Sequence, residues 1–326
     1  MKKIFITGGA GYVGSSLVPR LLQEGYTVTV YDLMIYGEHV IQPHENLVMI
    51  KGDIRDQNLL KKSLSDQDVV IHLACISNDP SFELNPTLGK SINLDSFEPL
   101  VKISKENKVK RFLYASSSSV YGIKEEKNVS EDMSLEPLTD YSKFKAECEK
   151  ILNNYANDEF ITSTIRPATV CGYAPRQRLD VIVNILTNHA YYKKEIQIFG
   201  GKQLRPNIHI EDMCRAYIEL INADSQKINK EIFNIGSTNH SVIEIAEKVK
   251  ENIGHIVKLK TINSDDIRSY HISSQKIKDV IGFETKLKIS DAVVDLKNAF
   301  DKKLLQNTFN NENYFNIKKM QSIKLI

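Results

Sequence analysis

At 326 residues, 41% hydrophobic and 26% charged, the chain has apolar material enough for one large domain with a smaller one built onto it. A formal net charge of +2 gives no reason to expect nucleic acid or an acidic membrane surface as a partner, and no run approaches the roughly 20 apolar residues of a membrane span. The four cysteines, Cys75, Cys148, Cys171 and Cys214, form no CxxC pair, which argues against a disulfide framework or a metal site and for reduced, mostly buried thiols.

The first residues, Met1-Lys2-Lys3, are basic, but glycines follow where a signal peptide carries its apolar stretch, so a cytoplasmic protein is expected. Residues 4–6 form a short apolar run leading into those glycines, as a buried parallel strand does. Residues 15–24 carry Leu17, Val18, Leu21 and Leu22 at helical spacing. Strand candidates follow at 28–31, 47–50, 69–74 and 111–115, with helical stretches around 59–64 and 93–106. This alternation predicts an α/β protein, a doubly wound parallel sheet with helices on both faces.

A helix over 141–156 then leads to a strand at 161–165, after which the pattern loosens. Residues 196–199, Gly200-Gly201 and residues 208–210 read as strand, turn and strand. An amphipathic helix is predicted over 212–221 and a short strand over 233–235. Ser241 is placed to cap a helix over 242–253, with Glu244 completing a capping box, and 289–300 reads as the last helix. Residues 1–170 are thus expected to form a first domain to which later segments return, and 171–301 a smaller second one. Residues 302–326, rich in Lys, Asn and Gln, are expected to form a poorly packed polar tail.

Gly8-Gly9-Ala10-Gly11-Tyr12-Val13-Gly14 holds glycines at 8, 11 and 14, after a strand and at the opening of a helix. Small residues suit a backbone that must turn tightly against a pyrophosphate, and a helix N-terminus offers that anion N–H groups and partial positive charge. Asp32 stands at the end of the second strand, placed to accept hydrogen bonds from the adenosine ribose hydroxyls. A 2′-phosphate would meet like charge there, which favours NAD(H) over NADP(H). Asp53-Ile54, ending the third strand, would set a carboxylate beside the adenine amino group.

Tyr141-Ser142-Lys143-Phe144-Lys145 is a Tyr-x-x-x-Lys motif, its two end residues one helical turn apart on one face. Upstream, Ala115-Ser116-Ser117-Ser118-Ser119-Val120-Tyr121-Gly122 places a serine run at a strand's C-terminal end. Taking a hydride from a carbinol carbon requires removing the hydroxyl proton, and an ordinary phenol, with a pKa near 10, is too weak a base at neutral pH. A neighbouring ammonium and a positive nicotinamide ease that proton transfer, so the tyrosine can act as base or acid while a serine hydroxyl holds the substrate oxygen.

With these motifs the chain resembles the extended short-chain dehydrogenase/reductase family, the sugar-nucleotide epimerases and dehydratases. Further support comes from Gly52-Asp53-Ile54-Arg55-Asp56, His72-Leu73-Ala74 and Arg205-Pro206-Asn207-Ile208-His209-Ile210-Glu211-Asp212. The resemblance implies a Rossmann domain followed by a smaller α/β substrate-binding domain, NAD as cofactor and a nucleoside-diphosphate sugar as substrate. It also implies a homodimer, formed through the helices at 93–106 and 141–156. Tyr141 would be the catalytic acid/base, Lys145 its electrostatic partner and nicotinamide-ribose ligand, and Ser117 the substrate-orienting hydroxyl. Ala74, Asn93 and Ser116 would line the cofactor groove, and Pro167 would approach the nicotinamide. Arg205 and Arg268 would grip the substrate diphosphate, for which guanidinium forks are suited; for either, a surface ion pair is the alternative.

Three details bear on the reaction that follows oxidation at C4. The 4,6-dehydratases of this family carry an Asp-Glu pair directly after the orienting hydroxyl, where this chain has Ser118 and Ser119, so dehydration is disfavoured. Many epimerases have an Asn where Thr169 stands in Arg166-Pro167-Ala168-Thr169-Val170-Cys171-Gly172. This stretch, with Pro175-Arg176-Gln177-Arg178-Leu179-Asp180, is similar to the GDP-heptose 4-dehydrogenases of capsule biosynthesis, which keep the 4-keto product and regenerate NAD with a small 2-oxo acid. Ser118, Thr169, Arg176 and Arg178 join the substrate candidates on that basis, although both arginines are as readily read as solvated. A 4-epimerase stays open, as do a 4-keto reductase and a non-catalytic NAD-binding relative. His72 reads as a packed strand-end histidine rather than a ligand, and Asn78-Asp79-Pro80 as a turn in a substrate-side loop, as readily touching the sugar as purely structural.

Overall fold

The computed structural model describes residues 2–126, 128–263, 269, 271–323 and 325. Its strands, in chain order, are β1 (Lys3–Thr7), β2 (Thr27–Asp32), β3 (Leu47–Lys51), β4 (Val69–His72), β5 (Arg111–Ala115) and β6 (Ile161–Pro167). These are followed by β7 (Thr169–Cys171), β8 (Glu195–Phe199), β9 (Leu204–His209), β10 (Glu231–Ile235), β11 (Thr238–Ser241) and β12 (Lys258–Ile262). Seven of them make one parallel sheet in the order β10-β6-β5-β4-β1-β2-β3. It is the doubly wound Rossmann arrangement, and its centre shows why the sequence reads as it does. Ile4, Phe5 and Ile6 of β1 are all fully buried, because helices cover both faces.

Successive residues of a strand point to opposite faces, and the two cores follow from that. Ile4 and Ile6 pack with Leu17 and Val18 of the helix Gly14–Gln23 and with Met213 and Tyr217 of the helix Ile210–Asn222. Phe5 packs on the other side with Leu60, Phe97, Leu100 and Cys148, from the helices Gln57–Ser63, Phe97–Glu106 and Asp140–Tyr155. Although β10 lies late in the chain, it pairs with β6 in this sheet.

The rest of the second half forms a smaller α/β layer. The sheets β11-β9-β7 and β12-β8 accompany the helices Ile182–Lys193, Val242–Ile253 and Ile289–Asp301, which share a third core. Ser241 caps its helix as the capping-box spacing predicts, accepting from Glu244 N.

Strands β8 and β9 flank Gly200-Gly201 as read, and they join different sheets, Ile196 and Ile198 burying in the third core and Ile208 in the first. Four local expectations need correction. Ile210 opens a helix rather than ending a strand, with His209 as its N-cap. Strand β4 stops at His72, and a π-helical turn, Ser91–Asp95, precedes the helix Phe97–Glu106. Most consequentially, residues beyond 302 do pack. A turn at Glu312–Tyr314 and the helix Asn316–Ser322 return to the body, and Asn316 is buried.

Strand β11 escaped sequence reading because its residues are polar, β12 because only Leu259 and Ile262 of its five are apolar, and the helix Ile182–Lys193 because its apolar residues do not keep to one face. Among the described residues no helix is long and apolar enough to cross a membrane.

Candidate active site

The strand order reverses between β1 and β4, from which the chain winds outward in both directions. A crevice opens there, at the carboxyl ends of the strands, where doubly wound sheets bind ligands. In this protein it is a cleft of about 380 Å³, lined by Gly8, Gly11, Tyr12, Val13, Gly14, Asp32, Asp53, Ile54, Ala74, Ser116, Tyr141, Lys145 and Pro167.

The turn out of β1 cannot be built from larger residues. Gly8 has φ +74°, and a Cβ on it would sit 2.6 Å from Ala74 N; a Cβ on Gly14 would sit 2.3 Å from Gly9 O. The helix Gly14–Gln23 can therefore start flush against the turn, its positive end toward the cleft. Tyr12 ties this turn to the second half of the chain, donating to Gly172 O (2.7 Å) and accepting from Asn184 Nδ2 (3.0 Å). Asp32 is held by the N–H groups of Ala10 (3.0 Å) and Met34 (2.8 Å); burial raises its pKa, and these two bonds oppose the rise. Asp53 is drawn to Arg55, whose Nη2 lies 2.6 Å from Oδ2. Burial works against its charge, but the Arg55 hydrogen bonds prevail and its pKa is lowered.

Across the cleft, Thr139 caps the helix Asp140–Tyr155 and puts Tyr141 in its first turn. Lys145, four residues on, is buried and donates from Nζ to Ala115 O (2.6 Å), with Nζ 5.8 Å from the Tyr141 ring centroid and 4.9 Å from that of Tyr114. Ser117 shares a hydrogen bond with Ser119 (Oγ to Oγ 2.8 Å) and accepts from Ser119 N (3.1 Å). Ser116 donates to Glu149, which makes a buried ion pair with Arg166 (2.7 Å). Arg166 in turn donates to the Tyr121 hydroxyl (2.7 Å). Glu149 was not singled out from sequence, although Tyr141, Lys145 and Glu149 recur every fourth residue on one helical face.

Of the substrate candidates, Ser117, Ser118, Thr169, Arg176 and Arg178 line the cleft. Arg205 does not: it lies on β9 opposite His240 of β11 and donates to Leu204 O (2.9 Å). Asn93 lies behind the wall, exchanging hydrogen bonds with Ile76 N (2.8 Å) and O (3.0 Å) and so bracing the segment after β4. Arg268 lies outside the described residues. Arg178 pairs with Asp180 (2.9 Å), which keeps its pKa up in spite of burial. The pKa of Arg176 is brought down to about 10, chiefly by burial.

Tyr36, Ser77, Asn316, Met320 and Leu325 also line the cleft, and nothing local in the sequence marks them. His72 is a core residue, its Nδ1 2.6 Å from Thr7 Oγ1 and its ring stacked on Tyr114; burial pushes its pKa down to about 3.

Comparison with known proteins agrees with this geometry. The model of the NAD dependent epimerase/dehydratase family matches residues 4–236, from β1 to just past β10. The chain is 28% identical over 316 residues to UDP-glucose 4-epimerase from Lactobacillus helveticus, covering 90% of this chain and 94% of that one. UDP-glucose 4-epimerase from Thermotoga maritima, solved with UDP-glucose, superposes with a TM-score of 0.84 at 25% identity, covering 93% of this chain and 100% of the other. UDP-glucuronic acid 4-epimerase from Bacillus cereus, solved with UDP-glucuronic acid and NAD, gives 0.83 at 26%, with the same coverage. The glycine turn, with no room for a Cβ at 8 or 14, and the buried carboxylate ending β2 fit a dinucleotide diphosphate and ribose. The chain belongs to the NAD dependent epimerase/dehydratase family, the extended short-chain dehydrogenases/reductases of sugar nucleotides, and its cofactor is NAD.

Proposed function

We propose that the protein oxidises the C4 hydroxyl of a nucleoside-diphosphate sugar to a 4-keto sugar, with Tyr141 as the base. The observation that carries this reading is the meeting of Tyr141, Lys145 and the serine run in one cleft with the glycine turn and Asp32. NAD, when bound, supplies the hydride acceptor. Tyr141 takes the hydroxyl proton as the C4–H bond breaks with its electron pair, and the C4–O bond becomes a carbonyl. Lys145, anchored on Ala115 O with its Nζ 5.8 Å from the Tyr141 ring centroid, supplies a positive charge that favours the ionised phenol. Ser117, preset by its bond to Ser119, orients the substrate oxygen. Thr169, Ser118 and Arg178 line the same cleft and serve the substrate.

Release of the 4-keto sugar is favoured over dehydration because the two residues after Ser117 are hydroxyls. Ser118 and Ser119 have no carboxylic acid with which to expel water. The second reading is a 4-epimerase, in which the hydride returns to the opposite face of C4; the similarity to UDP-glucose and UDP-glucuronic acid 4-epimerases favours it.

The test is to give purified protein panels of GDP-, UDP- and dTDP-sugars with and without 2-oxoglutarate, following NADH absorbance and product mass. A product lighter by two hydrogens, with turnover dependent on the oxo acid, supports the dehydrogenase. An isomeric product of unchanged mass, indifferent to the oxo acid, replaces it with the epimerase.

A further inference from the structure

Arg176 is a buried cation with one idle donor, although Tyr36 and Asp180 both favour its charge. It is 4% exposed, donates from Nη2 to Asn316 Oδ1 (2.6 Å) and holds its Cζ 3.5 Å from the Tyr36 ring centroid. Its Nε, closed off from solvent, has no hydrogen-bond partner. The carboxylates around it are engaged elsewhere. Asp180 takes Arg178 Nε on Oδ1 (2.9 Å) and the Asn316 backbone N–H on Oδ2 (2.7 Å), and Asp32 is taken by Ala10 and Met34. A buried guanidinium with an idle donor is costly unless an anion meets it.

Its position says which anion. The Arg176 backbone N–H donates to Ser15 Oγ (3.1 Å), on the helix that opens at the glycine turn. Tyr36, on which the guanidinium lies, belongs to the segment leaving β2 just past Asp32. Both belong to the cofactor side of the cleft.

We infer that Arg176 is a ligand of the dinucleotide's diphosphate, and that Asn316, from the C-terminal segment, is the positioning residue that holds it there. The side chain of Asn316 is fully used. Oδ1 accepts from Arg176 and from the Tyr36 hydroxyl (3.1 Å), and Nδ2 donates to Ser77 Oγ (2.7 Å) and, more weakly, Ser77 O (3.4 Å). Three stretches remote in sequence thus close on one amide, and Met320, one helical turn on, extends the same wall. This moves Arg176 from the substrate's side of the ledger to the cofactor's. The inference rests on the NAD dependence of the family and on the cleft above, and is independent of which sugar reaction follows.

Asn316→Asp is the discriminating variant. It keeps the shape of the side chain and its acceptors, but sets a carboxylate on Arg176 in competition with the diphosphate. Dissociation constants for NAD and ADP-ribose are measured by calorimetry without any sugar, with thermal unfolding of the unliganded protein alongside. The expected result is an unfolding midpoint held or raised, while both constants rise about tenfold or more. Arg176→Gln gives the same rise, and the double variant loses no further affinity, since Asn316 acts through Arg176. UDP and GDP, titrated in parallel, bind as to the unaltered protein. Normal NAD and ADP-ribose affinity in Asn316→Asp and Arg176→Gln overturns the inference, and so does a loss confined to UDP or GDP, which would return Arg176 to the substrate. No sugar is oxidised in these titrations, so a wrong assignment of the reaction leaves their outcome untouched.

Discussion

Tyr141 and Lys145 reach the cleft from one helical face, with the lysine ammonium fixed by a backbone carbonyl rather than a carboxylate. Its charge is therefore not neutralised by that partner and stays available to the phenol oxygen. Replacing Tyr141 by Phe should lower kcat by about 10²–10⁴-fold while leaving nucleotide-sugar affinity nearly unchanged, measured by turnover and by calorimetry. Equal losses in both would make Tyr141 a binding residue instead. His72 carries a different signature. The unfolded chain takes up this proton near pH 6.5, the folded one only near pH 3, so stability rises with pH across that window and is lost on acidification. The loss is at most about 5 kcal/mol by pH 3. His72→Gln should flatten the decline of the urea midpoint between these values, and an unchanged slope would show that other groups govern it.

At the scale of elements, the helix Asp140–Tyr155 does two jobs on one face. Its first turns carry Tyr141 and Lys145, and one turn later Glu149 binds Ser116 and Arg166, tying the helix to the end of β5 and to β6. Glu149→Gln would leave Arg166 buried without its counter-charge, and a loss of about 3–5 kcal/mol is expected in denaturant unfolding. The glycine turn makes a second, separable prediction. A methyl on Gly14 would meet the Gly9 carbonyl, so Gly14→Ala must push the helix Gly14–Gln23 away from the turn. NAD carried through gel filtration by the unaltered protein should then be absent from the variant; retention would mean the helix can shift without opening the site. Both elements were visible in sequence, the first as a tyrosine and a lysine four residues apart, the second as glycines between a strand and a helix. Which sheets β8 and β9 would join was not, because a strand shows which of its residues are apolar but not which of two cores will receive them.

For the whole molecule, the cleft is where the N-terminal sheet, the loop Pro175–Asp180 and the C-terminal segment come together, so ligand and fold should be coupled. NAD at a hundred times its dissociation constant should stabilise the protein by about 2.7 kcal/mol, and differential scanning should register this as a rise of a few degrees in Tm. No rise at saturating NAD would mean that the cleft is not its site. The sequence by itself determined the doubly wound sheet, the turn that must be glycine and the spacing of tyrosine and lysine, because each is a pattern within one or two neighbouring elements, where strand and helix periods or one turn's sterics decide the outcome. Only the tertiary structure decided that Arg205 stands in register with His240 of β11, that Asn93 braces a backbone from behind the wall and that residues beyond 302 enter the cleft. An asparagine in a polar tail has the same local pattern whether it is solvated or spent on Tyr36, Ser77 and Arg176. The difference lies in hydrogen bonds across as many as 280 residues of chain, and those exist only once the cores that bring the segments together have formed.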